Sequence, residues 1–218
     1  MKKVIGICGF MQEDISIYLS SVLSNLGMGV LVCDLTWDKK IISCTKRPKE
    51  AIDVVSYRGV DFSESFKSEY MDDVNHSIVI LVMDVYTDIS FLNICDDIYF
   101  VTGCERMFLE TAKNYMREHK VPMNLVLKDV SPPEMRKKYL ERISDENAFI
   151  LDKYFLPTDV IDEGYRIAMQ YDSFGSFSEL SPEYGKLITA ICKKISGAQK
   201  TDVKRAYALA KKGVSICA

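Results

Sequence analysis

The 218-residue chain contains only two histidines and one tryptophan, no Cys-x-x-Cys pair, and no internal repeat or low-complexity tract. Neither His76 nor His119 stands at a spacing from a serine, cysteine or carboxylate that identifies a triad, so both read as structural or exposed. The seven cysteines are odd in number, which argues against a disulfide framework and leaves buried thiols in a reducing compartment as the plain reading. There is no signal-peptide pattern and no apolar run of ~18 residues, which excludes a spanning helix. A net charge of -3 gives no broad electrostatic reason to bind nucleic acid. One further absence is local: the glycine-bearing stretch Gly6 to Glu13 holds no lysine or arginine.

What the chain does have is a clear amino-terminal pattern. Val4 to Cys8 is an apolar run that predicts a buried strand, and Gly9 opens a turn. Ile15, Leu19, Val22, Leu23 and Leu26 then recur at helical spacing, and Gly27 and Gly29 stop the helix. Val30 to Cys33 predicts a second strand, ending in Asp34. This is how a parallel α/β sheet begins, and in such sheets ligands sit at the carboxyl ends of the strands.

The spacing resembles the MinD/ParA group of deviant P-loop ATPases, in which a first strand runs into GKGGVGKT and a second strand ends in a D-L-D-like motif. Laid on without a gap, Gly6 to Glu13 cover the loop and Asp34-Leu35-Thr36 cover D-L-D, with Gly6, Gly9, Asp34 and Leu35 matching. Downstream, Ser77 to Met83 stands for the Walker B strand after Asn75-His76, with Asp84 as a candidate metal-side acid. Cys95 to Thr102 resembles A-D-x-x-x-V-V-T and leads into a helix from Glu105 to His119. Leu125 to Leu127 runs into Lys128, where relatives place an asparagine that reads the base. Phe155 to Asp159 resembles I-P-x-D, and Ser181-Pro182 resembles the entry to the final helix. There Ser181 has the chemistry of an N-cap, and Tyr184, Leu187, Ile188, Ile191, Cys192 and Ile195 form one apolar face. The resemblance spans about residues 3 to 196.

The departures from that pattern carry the functional expectation. The family's signature lysine falls on Ile7, the lysine for the terminal phosphates on Gln12, the magnesium-binding hydroxyl on Glu13, and the water-positioning acid on Thr36. Backbone amides at a helix N-terminus attract anions, but Glu13 and Asp14 supply that turn with its own negative charge. The resemblance therefore implies a three-layer α/β/α sandwich with a mostly parallel sheet, and a non-catalytic protein rather than an ATPase. It further implies a homodimer formed through the loop face, with Ile7 making that contact apolar. The degenerate nucleotide loop comprises Gly6, Gly9, Gln12, Glu13 and Asp34, with no catalytic or metal residue assigned. No cofactor is expected, weak ATP or ADP with magnesium being the alternative.

Within the superfamily the chain is similar to the TadZ/CpaE branch. This implies a cytoplasmic scaffold or positioning factor whose protein partners belong to a pilus or secretion machinery. A weak ATPase and a regulator of envelope or polysaccharide synthesis are the rivals. Two domain segments are expected, 1–197 and a basic amphipathic tail at 198–218. In the tail Lys200, Lys204, Arg205, Lys211 and Lys212 lie opposite Val203, Tyr207, Ala210 and Val214, and its small apolar face favours packing over contact with the inner face of a membrane. Lys46, Arg47 and Lys49 mark a basic loop, solvated or partner-binding, and partial burial is expected for Trp37.

Overall fold

Eight apolar segments pair into one sheet in the order β3-β4-β2-β5-β1-β6-β7-β8. The strands are β1 (Lys3–Gly9), β2 (Val30–Asp34), β3 (Val54–Tyr57), β4 (Val60–Ser63), β5 (Ile78–Met83), β6 (Asp97–Gly103), β7 (Met123–Val130) and β8 (Ile150–Pro157). All neighbours are parallel except β3 against β4, which form a hairpin at one edge. The computed structural model describes residues 2–45, 53–131, 134, 136–143, 149–171 and 175–215; the basic loop at Lys46, Arg47 and Lys49 lies outside them.

The central strands are apolar on both faces because both faces are covered, as parallel sheets require. One face carries α1 (Glu13–Asn25), the short α2 (Lys40–Ser43), α5 (Val160–Ala168), α6 (Pro182–Ser196) and α7 (Lys200–Lys211). The other carries α3 (Arg106–His119), α4 (Arg136–Arg142) and two 3-10 turns, Ser68–Met71 and Ile89–Ile94. The result is the three-layer α/β/α sandwich implied by the sequence pattern.

Helix α1 lies at the centre of its layer and is buried around its whole circumference. Its serines tolerate this because their hydroxyls donate to carbonyls: Ser20 and Ser21 to Ile17, Ser16 to Gln12, and Ser24 to Gly59. After α1 the chain passes so close to Asn75 that a Cβ on Gly29 would stand 1.7 Å from the Asn75 carbonyl oxygen. Glycine is needed there for contact, whereas Gly27 turns the chain at φ +80°.

Helix α6 begins as its sequence indicates: the Ser181 hydroxyl accepts from the Tyr184 amide at 3.1 Å, and all six residues of its apolar face are buried. Helix α7 packs on α1 and α6 through Val203, Ala206 and Ala210. The chain beyond it is also tied down, with Phe177 donating to the Lys211 carbonyl and Asn25 to that of Val214. Residues 198–215 are thus built into the helical layer, and the apolar stripe of α7 faces protein. No described helix is long and apolar enough to cross a membrane.

Candidate functional site

The carboxyl ends of β1, β2 and β5 meet at a cleft of about 210 Å³, whose lining includes Gln12, Glu13, Trp37, Lys40, Asp84 and Tyr86. This is below the ~300–1,000 Å³ of ordinary small-molecule sites. Its floor is the β1–α1 turn, which is shorter than the gapless reading of the sequence implies. Strand β1 continues through Gly9 and α1 starts at Glu13, leaving Phe10, Met11 and Gln12 as the whole connection.

Gly6 lies inside the strand, paired with Leu81 and Ile98, and a Cβ there would meet Cys95 Sγ at 2.9 Å. Its role is therefore close packing. Ile7 is fully buried between Val82 and Tyr99, which corrects the expectation that it contributes an apolar contact at a dimer face. Gly9 does open the turn, at φ +110°, and a Cβ on it would stand 2.2 Å from the Val101 carbonyl oxygen. That same oxygen accepts the Phe10 amide at 2.8 Å. Met11 is left-handed at φ +55°, and the buried Gln12 amide donates to the Met83 carbonyl at 3.1 Å. The turn is stitched to β5 and β6 by its own polar groups.

The first turn of α1 is electrostatically closed. Lys128, at the end of β7, places Nζ 2.6 Å from Asp14 Oδ2 and donates to the Met11 carbonyl at 3.1 Å. Both side chains are almost fully buried, at 4% and 2% exposure. Arg166 of α5 reaches Glu13 Oε1 at 3.2 Å and is also paired with Glu163, whose carboxyl it holds below the usual range. A triphosphate brought to this turn would meet two carboxylates, and the nearby Lys128 and Arg166 are already committed to them. Lys128 stood out in the sequence as a departure from the asparagine position. Arg166 was missed, although two buried acids at the start of α1 call for a cation from elsewhere.

Asp34 is fully buried and accepts from the Thr36 hydroxyl at 2.5 Å and from the amides of Thr36, Ile41 and Ile42. It thereby closes the β2–α2 connection on itself. Burial raises its carboxyl above the ordinary range, against the opposing effect of these donors. A raised acid contributes stability that is lost as pH rises through its folded pKa. Asp34→Asn is therefore expected to gain stability relative to the wild type as pH increases above the ordinary carboxylate range of about 4. Urea midpoints of both proteins across that range measure this, and a pH-independent difference would refute it.

Asp84 likewise serves the backbone. Its two oxygens each take an amide at 2.8 Å, from Trp37 and from Tyr86. Asp88 accepts the Ser90 amide at the start of its 3-10 turn. Among the described residues no group of three or more histidines, cysteines or acids is placed to hold a metal ion. Trp37 is 90% exposed and Tyr86 88% exposed, so the tryptophan stands at the cleft rim and not in the core as expected.

No family model matches the sequence, and no curated protein matches it. Solved structures do match in fold. MinD in a MinC:MinD cell division complex from Aquifex aeolicus aligns at a TM-score of 0.68 with 11% identity, over 90% of this chain and 96% of that one. A ParA family ATPase from Chlorobium tepidum aligns at 0.59 with 12% identity, over 96% and 97%. The pNOB8 ParA bound to nonspecific DNA aligns at 0.52 with 11% identity, over 96% and 98%. The fold is that of the MinD and ParA P-loop NTPases.

Proposed function

We propose that this chain is a degenerate member of the MinD/ParA-like superfamily that acts as a scaffold or positioning factor without turning over nucleotide. The observation that carries the reading is the pairing of Asp14 with Lys128 and of Glu13 with Arg166, which fills the phosphate end of the fold with intramolecular charge. The residues do not fit a magnesium nucleotide. The turn has three residues between strand and helix and offers no lysine. One of its amides is spent on Val101, and the acids at the strand ends are spent on backbone amides. Each missing charge-assisted contact costs about 1.5–3 kcal/mol, or roughly tenfold to a hundredfold in affinity.

A protein that keeps this fold without its chemistry retains surfaces, and the solved MinD neighbour in complex with MinC is one protein of this fold that works through a protein partner. The resemblance to the TadZ/CpaE branch directs the proposal to a cytoplasmic role in a pilus or secretion assembly, with homodimerisation through the loop face. The exposed Trp37 and Tyr86 at the cleft rim favour a partner on this side, since exposed aromatics are typical interface anchors. The rival reading is a weak MinD/ParA-like ATPase that holds phosphate by backbone amides alone.

Calorimetric titration with ATP and ADP in magnesium, at protein concentrations that detect a millimolar dissociation constant, separates the two. No heat of binding is expected, and no change in the emission of Trp37. Clear binding, at millimolar or tighter affinity, would overturn the proposal and send the protein to ATPase assays.

A further inference from the structure

The small net charge conceals two strongly charged regions. Residues 181–215 carry eight lysines or arginines and two acids, whereas residues 53–97 carry ten acids and two lysines or arginines. The fold puts them on different faces of the sheet: α6 and α7 cover one, and the turns Ser68–Met71 and Ile89–Ile94 cover part of the other, the rest of which lies under α3 and α4 with their exposed Arg106, Arg117, Lys137 and Lys138. On the first face Lys193, Lys200, Lys204, Arg205 and Lys212 are exposed, while the apolar side of α7 is packed inward. On the second face Glu69, Asp72 and Asp88 are exposed, and Val74 stands 95% exposed beside Asp72.

The two surfaces match in more than sign. Lys204 and Ala208 on α7 and Lys212 at its C-cap are exposed at four-residue intervals, giving a small apolar step between two cations. The acidic patch offers the converse, an apolar projection at Val74 that follows Asp72 and Asp73 in the chain, with Met71 also exposed. A lipid surface accounts only for the cations and leaves Val74 uncovered.

We propose that the α6–α7 face docks onto the acidic face of a second copy of this chain, joining molecules head to tail. Such a contact uses two different surfaces and need not close, so it builds open chains, unlike a two-fold dimer at the loop face. The proposal rests on the scaffold reading and supplies a partner for it. It fails independently of nucleotide binding, because the residues that carry the contact, those of α6 and α7 on one side and Glu69, Asp72 and Val74 on the other, do not line the cleft.

Sedimentation velocity over a range of concentrations tests it, at ionic strengths of about 0.01 M and about 1 M, where charges are screened over about 30 Å and about 3 Å. At low salt the average mass is expected to rise past the dimer with concentration, and at high salt to fall back. Two exposed-surface variants localise the contact: Lys200→Gln with Lys204→Gln and Arg205→Gln, and Glu69→Gln with Asp72→Asn. Each alone is expected to stop chain growth, and an equimolar mixture to form a 1:1 pair that grows no further. Salt-independent association, growth unaffected by either variant, or a mixture that fails to pair would overturn the proposal. So would a chain that does not grow at low salt while its α6–α7 face binds phosphatidylserine vesicles.

Discussion

Replacing Lys128 with methionine is expected to destabilise the fold by about 3–5 kcal/mol, the usual consequence of stranding one member of a buried ion pair. Asp14 would be left 1% exposed without its cation, and the Met11 carbonyl would lose a donor in a turn already held at positive φ. Adding Asp14→Asn should recover a large part of the loss, because the amide carries no charge to desolvate. Urea unfolding of the wild type, both single variants and the double variant gives the coupling energy directly. A loss below about 1 kcal/mol for Lys128→Met would show that the pair does not hold the turn. In that case Lys128 would be available to an anion, and the case against nucleotide binding would lose its main support. The experiment therefore bears on function as well as stability.

Gly9→Ala is expected to cost about 3 kcal/mol without any ligand, from a backbone at φ +110° combined with a steric conflict. The added Cβ would stand 2.2 Å from the Val101 carbonyl oxygen, and that oxygen is backbone within β6, so it has no rotamer through which to yield. Relief requires moving β1 away from β6 or breaking the bond from the Phe10 amide. Thermal unfolding of the ligand-free variant measures the effect. A variant as stable as the wild type would mean that the turn relaxes freely, and that Gly9 is not required by the fold itself. Gly6→Ala supplies the contrast, since its added Cβ would meet the ends of the Cys95 and Met83 side chains, which can shift.

The architecture was largely legible in the sequence because it follows from periodicity and from local chemistry. Ser77 to Met83 is apolar at every position but the first, which suits a strand covered on both faces, and the structure makes it β5 at the centre of the sheet. Ser181-Pro182 announced a helix start because the cap and the proline act within one turn. The β3–β4 hairpin is weakly marked in the sequence, since the turn at Arg58-Gly59 gives no strong break in so short an irregular segment.

The site was legible only in its losses. The pattern along the chain showed that the loop had no lysine and that Lys128 and Thr36 departed from the family pattern; the gapless overlay put Gly6 and Ile7 in the loop, whereas the apolar run Val4 to Cys8 marked them as strand, and strand is what they form. Strand β1 runs through both residues as its apolar pattern indicates, and each residue from Lys3 to Cys8 finds a partner on β5, so the turn is left with only three residues. Trp37 was misjudged. A tryptophan is ordinarily drawn inward, but here it lies three residues past the end of β2 with its amide held by Asp84, and the side chain is left at the rim of the cleft.

By itself, the sequence determined the alternation of strands and helices, the cap of the final helix, and the absence of any cation from the β1–α1 turn, all of which depend on neighbouring residues. Tertiary structure alone decided what became of that turn. Lys128 and Arg166 lie 114 and 153 residues from the acids they neutralise, and only the parallel stacking of β7 and the return of α5 over α1 bring them there. Charge pairing in a buried site is a property of distance in space, and nothing in the spacing of residues along the chain encodes it.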